Sequence, residues 1–159
     1  MTEKILLSHG GGGEMTARLL REVFFEEFGA DEAAQDDAAV LSMGSGKLAF
    51  TTDSFVVSPA FFKGGDIGKL AVCGTVNDLC CAGAVPRFIS CGFIIEEGYE
   101  ISLLKKIARS MAETAKDCGI KIAAGDTKVV PHGAADGVYI NTSGIGEVLP
   151  GFDTSGRNA

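Results

Sequence analysis

Tryptophan is absent from the 159 residues, and there are only two tyrosines, two histidines and four prolines. Two histidines and no Cys-x-x-Cys pair leave little from which to build a zinc site. No run approaches the roughly 20 apolar residues of a membrane-spanning helix. The opening stretch, MTEKILLSHG, holds no long apolar block, so no secretory leader is expected. Basic residues are scarce too. Fourteen Lys and Arg against 21 Asp and Glu give a net charge of −7, which argues against a broad nucleic-acid surface. That balance leaves room for a small polyanion such as ATP, whose charge a metal ion can bridge.

Glycine is what the chain has in excess: 22 of 159 residues, about twice the usual share. Four stand together in Ser8-His9-Gly10-Gly11-Gly12-Gly13-Glu14. The five cysteines, Cys73, Cys80, Cys81, Cys91 and Cys118, read as buried, soft apolar residues of a reducing cytoplasm.

Residues 1–13 lack periodicity and read as a mobile strap. Met15, Leu19, Leu20, Val23 and Phe24 follow helical spacing up to a stop at Gly29. Residues 38–43 and 47–57 read as strands joined by the turn Gly44-Ser45-Gly46. Asp66 is placed to cap a helix running to about Ala82, with Gly83 as its stop. A strand over 86–95 follows. The stripe Leu104, Ile107, Ala108, Met111, Ala112 and Ala115 predicts a helix over 101–118. Strands over 120–124 and 137–148 complete one domain, 14–149, and the polar tail 150–159 reads as a linker cut at a domain edge. The order implies an α+β fold with helices on one face of a mixed sheet. A second copy is the expected cover for the other face.

Three chemistries can be weighed from motifs. A lipase-type HGGG oxyanion loop needs Gly-x-Ser-x-Gly, but Met43, Phe88 and Asn141 precede Ser45, Ser90 and Ser143 where that first glycine belongs. A P-loop at Gly44–Lys47 needs glycine at 41 and Ser or Thr at 48; leucines stand at both. What remains is a carboxylate pattern. Asp36 and Asp37 precede an apolar run, Asp53 lies in a strand, and Asp126 follows one. Asp78 is the sole charge among the seventeen residues between Lys69 and Arg87. Buried unpaired it would cost several kcal/mol, so it protonates or meets a cation or donors. Converging carboxylates without basic partners suit hard Mg²⁺. Equally, Asp36 and Asp37 fit a polar turn, and Asp53 and Asp126 fit loop residues bonding their own backbone.

Lys128 and Thr127, beside Asp126, are candidates for phosphate oxygens, or a strand-edge lysine and a plain β-former. His9 adjoins the glycines as a candidate phosphate donor, whereas His132 reads as a turn residue. The amides of Gly10, Gly11, Gly12 and Gly13, with the helix N-terminus behind them, can fold over phosphates.

The stretches LLSHGGGGE, DDAAVL, FTTDSFVVSP, GGDIGKLAVCGTVNDL, GFIIEEG and AGDTKVVP, in this order over residues 5–148, resemble the HypE family of hydrogenase maturation factors. Those proteins are carbamoyl dehydratases of the PurM-like ATP-binding superfamily. The resemblance implies a PurM-like N-terminal domain that dimerises through its sheet into a closed barrel, with ATP near that interface. It implies Asp37, Asp53, Asp78 and Asp126 as Mg²⁺ ligands, and Asn77, Thr127 and Lys128 near the nucleotide. It further implies ATP-driven dehydration of a thiocarbamate on a C-terminal cysteine. The thiocyanate so formed would supply cyanide to [NiFe] hydrogenase. The implied partners are a carbamoyltransferase and an iron–cyanide assembly scaffold. Gly11 stands where a Ser or Ala is common in the family. A second domain and the C-terminal cysteine have no counterpart in the 159 residues, so a chain inactive alone is expected. The rival readings are a thiamine-phosphate kinase or selenophosphate synthetase of the same superfamily, or a non-catalytic dimer module.

Overall fold

The computed structural model describes residues 4–10, 13–29 and 47–151. The anticipated strand at 38–43, the turn at 44–46, and Gly11, Gly12 and Asp37 lie outside them.

The chain enters through a 3₁₀ turn, Leu7–Gly10, and a helical run of three pieces. These are α1 (Glu14–Leu19), a π-helical segment (Leu20–Phe25) and α2 (Glu26–Phe28). Then follow β1 (Leu48–Phe55), the short β2 (Phe61–Phe62) and β3 (Gly65–Asp66), and α3 (Ile67–Cys81). The last elements are β4 (Ala84–Glu96), α4 (Ile101–Asp117), β5 (Lys121–Val130) and β6 (Val138–Val148).

The main sheet has the order β1-β6-β4-β5. β4 and β5 run parallel around the α4 crossover, and both other pairings are antiparallel. The sheet is therefore mixed, as expected. Alternate residues of its central strands, Ile89, Cys91, Phe93 and Ile95 of β4 and Val138 and Ile140 of β6, are buried under the helices. The residues between them face the other way. There Phe50 is 70% exposed and Ile94 44%, an apolar face with no cover among the described residues.

The amphipathic stripe of α4 buries Leu104, Ile107, Ala108, Met111 and Ala115. α3 crosses it closely at Gly68, where a Cβ would lie 2.7 Å from the Ile107 carbonyl oxygen. Asp66 caps α3 as its position suggested, its Oδ1 accepting from Gly68 N at 2.7 Å and Lys69 N at 3.1 Å.

Three expectations need correction. The strap is held over residues 4–10: Ile5 is fully buried, and its N–H and carbonyl bond Tyr99 O and Gly98 N, each at 2.9 Å. An apolar anchor and a two-bond bridge outweigh the missing periodicity. Next, the strand read as ending at Ala124 continues to Val130, so Asp126, Thr127 and Lys128 are strand residues. A register shift beside Ile89 admits the extra residue, and Gly125 lets the backbone close on Cys91. Finally, only Cys91 is a buried thiol, with its pKa pushed up to about 12 by burial. Cys73, Cys80, Cys81 and Cys118 are exposed. α3 is apolar nearly all round, so composition alone did not mark its inner face.

Candidate functional site

β1 and α3 pack against each other, and two of the candidate carboxylates lie along their seam, about one helical turn apart. Asp53 lies on the helix-facing side of β1, in register with the buried Thr142 of β6. Gly74 of α3 lets it approach. A Cβ there would stand 2.8 Å from the Phe55 ring and 3.4 Å from Asp53 Oδ2. One turn further along α3, Asp78 Oδ2 accepts from Thr51 Oγ1 at 3.4 Å. Thr51 and Asp53 share a strand face, two residues apart. Asp53 Oδ1 accepts from the Ser54 N–H at 2.8 Å.

Asp78 and Asn77 are exposed on α3. The desolvation cost that a lone carboxylate in an apolar helix threatened is therefore not incurred. Asp78 keeps contact with water and has a hydroxyl donor. Among the described residues neither Asp53 nor Asp78 forms an ion pair.

Asp126 is elsewhere. The register Ser54–Asn141–Gly92–Asp126 runs across all four strands on the open face. It places Asp126 on the opposite edge strand, three strand spacings or about 14 Å from β1. Lys128 shares that open face, whereas Thr127, between them, turns to the helix side opposite Phe93. The three consecutive candidates thus divide between two faces. Among the described residues, no group of three or more His, Cys, Asp or Glu side chains converges as a metal centre. The four-carboxylate cluster is not assembled by the described part of one chain.

Thr127 lines an apolar cleft between the π-helical segment and β5, with Phe24, Phe28 and Phe93 among its walls. A second hollow lies on the open face between Phe50, Phe88, Ser90, Ser143 and Ile145.

The glycine strap divides as well. His9 is buried and its Nδ1 accepts from Leu6 N–H at 2.8 Å, so that nitrogen has no hydrogen for a phosphate. Its role in the described chain is to close the 3₁₀ turn. Gly10 is needed for close approach, since a Cβ would meet Val129 N at 2.7 Å. Gly13 sits at the start of α1; among the described residues nothing lies within 4 Å of a Cβ there and no side chain caps that helix. Its carbonyl accepts from Ala17 N at 3.0 Å.

Two polar groupings escaped the sequence reading. Glu96, at the end of β4, accepts from Gly133 N at 2.6 Å and Gly137 N at 3.0 Å, and pairs with His132 Nδ1 at 3.0 Å. The two amides hold its carboxyl below the usual range. His132 is a turn residue, as read, but one tied to a carboxylate. The other grouping surrounds Asn141 and Thr142. Polar residues at 141–143, inside an apolar strand, were its only sequence signal.

The two carboxylates at the β1–α3 seam fit Mg²⁺ in its usual protein setting, one or two carboxylates with phosphate oxygens completing the shell. Residues 35–148 match the family model for the N-terminal domain of AIR synthase related proteins. The chain belongs to that family. Within it, the chain is 51% identical to carbamoyl dehydratase HypE of Rhodobacter capsulatus over 152 residues, covering 94% of this chain and 45% of that protein. It is 49% identical to carbamoyl dehydratase HypE of Escherichia coli K12 over 151 residues, covering 91% and 45%. Among solved structures, hydrogenase maturation protein HypE in complex with ATP superposes with a TM-score of 0.87 at 50% identity, over 91% of this chain and 43% of that one. HypE in a HypE–HypF complex superposes at 0.66 with 52% identity, over 87% and 44%. The recognition drawn from sequence motifs and the α+β fold class both hold. The chain spans slightly under half the length of these relatives.

Proposed function

We propose that this chain is the ATP-binding and dimerising half of a HypE-type carbamoyl dehydratase. The observation that carries the reading is the placement of Asp53 and Asp78: two carboxylates along one seam with hydrogen-bond donors and, among the described residues, no basic partner. Mg²⁺ is the group they would hold, and it would neutralise the phosphates of ATP against an acidic protein. The ATP complex of a relative at 50% identity supports the nucleotide assignment.

In this reading a second copy covers the apolar open face of the sheet. β1 and β5 are the two edges of that sheet, and in this reading the barrel joins β5 of one copy to β1 of the other. The family resemblance assigns Asp126 and Lys128 to the same nucleotide site across the joint between the copies, as a further ligand and a phosphate contact. Asn77 lies beside Asp78 for the nucleotide, and Asp37 completes the carboxylate set. The glycines 10–13 close over the phosphates, with the buried His9 bracing the strap.

The whole-protein reaction is ATP-dependent dehydration of a cysteine-bound thiocarbamate to thiocyanate, for the cyanide ligands of [NiFe] hydrogenase. Phosphorylation makes the carbamoyl oxygen a leaving group. The 159-residue chain itself binds nucleotide without turnover. Its whole-protein partners are a carbamoyltransferase and an iron–cyanide scaffold, and the HypE–HypF complex of a relative supports an association of this kind. Four exposed thiols fit a reducing compartment such as the cytoplasm.

Calorimetric titration of the 159-residue chain with ATP, with and without Mg²⁺, tests the reading. Binding that needs Mg²⁺ and is lost in Asp78→Asn is expected. Absence of binding by both proteins would leave a non-catalytic dimer module in its place.

A further inference from the structure

Asn141 and Thr142 are consecutive in β6, so their side chains leave opposite faces of the sheet. On the open face Asn141 Nδ2 donates its two hydrogens to the Asp53 carbonyl oxygen at 2.9 Å and Ser54 Oγ at 3.0 Å, with Thr52 Oγ1 a longer shared contact at 3.4 Å. Thr52 Oγ1 in turn donates to the Thr142 carbonyl at 3.1 Å. These bonds fasten β1, which has a strand on one side only in the described sheet, over the residues around Asp53.

On the helix face Thr142 is fully buried, and its hydroxyl donates to the Ala71 carbonyl of α3 at 3.3 Å. The same hydroxyl makes a short hydrogen bond with the buried Thr75 Oγ1, in which either oxygen can donate. Thr75 is three residues before Asp78, and Ala71 seven. Gly144 brings the same strand against Thr75 and Leu79, where a Cβ would overlap both side chains at 2.6 and 2.9 Å. One strand therefore grips the backbone of β1 at Asp53 and the body of α3 below Asp78.

Stability alone does not require this arrangement. A buried hydroxyl pair can be exchanged for apolar groups of the same shape at nearly neutral cost. What hydroxyl and amide bonds add is direction and a fixed distance. We infer that Asn141 and Thr142 are positioning residues that set the separation of the Asp53 and Asp78 carboxylates, and so the affinity of that pair for a divalent ion. The inference rests on the metal reading given above.

The test uses the 159-residue chain, with Mg²⁺-dependent ATP binding read by calorimetry, Mn²⁺ binding by electron paramagnetic resonance, and thermal melting. Asn141→Ala and Thr142→Val should each weaken Mn²⁺ binding, and the gain in ATP affinity from Mg²⁺, roughly ten- to hundredfold. Metal-free ATP binding should stay unchanged. Thr142→Ser, which keeps the hydroxyl, should restore the gain. An unchanged gain in Asn141→Ala and Thr142→Val, alongside its loss in Asp53→Asn, would overturn the inference and leave the metal reading intact. An unchanged gain in Asp53→Asn would overturn both. Should Thr142→Val fail to fold, Asn141→Ala decides, because Asn141 is an exposed side chain.

Discussion

Thr51 and Asp78 meet across the β1–α3 seam, Thr51 Oγ1 donating to Asp78 Oδ2 at 3.4 Å, on the strand face that carries Asp53 two residues on. The bond is long and exposed, so its loss is mild in itself. Thr51→Val should leave the melting temperature unchanged and weaken Mg²⁺-dependent ATP binding only a few-fold. Asp78→Asn, which removes a ligand charge, should abolish it within the range of a calorimeter.

Phe50 is 70% exposed on the open face. A charge there should be tolerated by the folded monomer and rejected by a covered interface. Phe50→Asp should keep its circular dichroism and shift the sedimentation profile to monomer at concentrations where the unmodified chain is a dimer. A monomeric unmodified chain at every concentration would remove the cover assigned to that face.

Glu96 gives a pH dependence whose sign is fixed. The Gly133 and Gly137 amides favour its charged form, so its folded pKa lies below the unfolded value. The stability it adds is complete above the unfolded value, and it is lost as pH falls through the lowered folded value. Thermal melts from neutral pH down into the acid range should show this loss. Glu96→Gln should be less stable near neutrality and should show a shallower acid decline.

Thiol accessibility is equally specific. Cys91 is buried with its pKa pushed up to about 12, so native alkylation with iodoacetamide followed by peptide mapping should leave it unmodified. Cys73, Cys80, Cys81 and Cys118 are exposed and should be labelled.

The legibility of these features from sequence depended on how local their causes are. The α4 stripe, the Asp66 cap and the Gly83 and Gly119 stops are set within a few residues and were readable; both glycines have φ of +68°. The length of β5 was not, because Gly125 and Asp126 lower strand propensity while Cys91 and Gly92 across the ladder supply the pairing. Nor was the placement of Asp126 relative to Asp53, which depends on a strand order that no local pattern encodes. The facing of the α3 cysteines was hidden by a helix apolar on nearly every side. The motif order carried the family, while Asn141 and Thr142 needed the register.

If Asp53 and Asp78 of one copy work with Asp126 of another, two defective chains should complement each other when mixed. Asp53→Asn and Asp126→Asn should each lose Mg²⁺-dependent ATP binding. Denatured together and refolded, they should form mixed dimers with one intact site each, restoring about a quarter of the binding sites. Restoration to that level is the predicted result. Failure to restore any site in a mixture verified to contain mixed dimers would contradict the account.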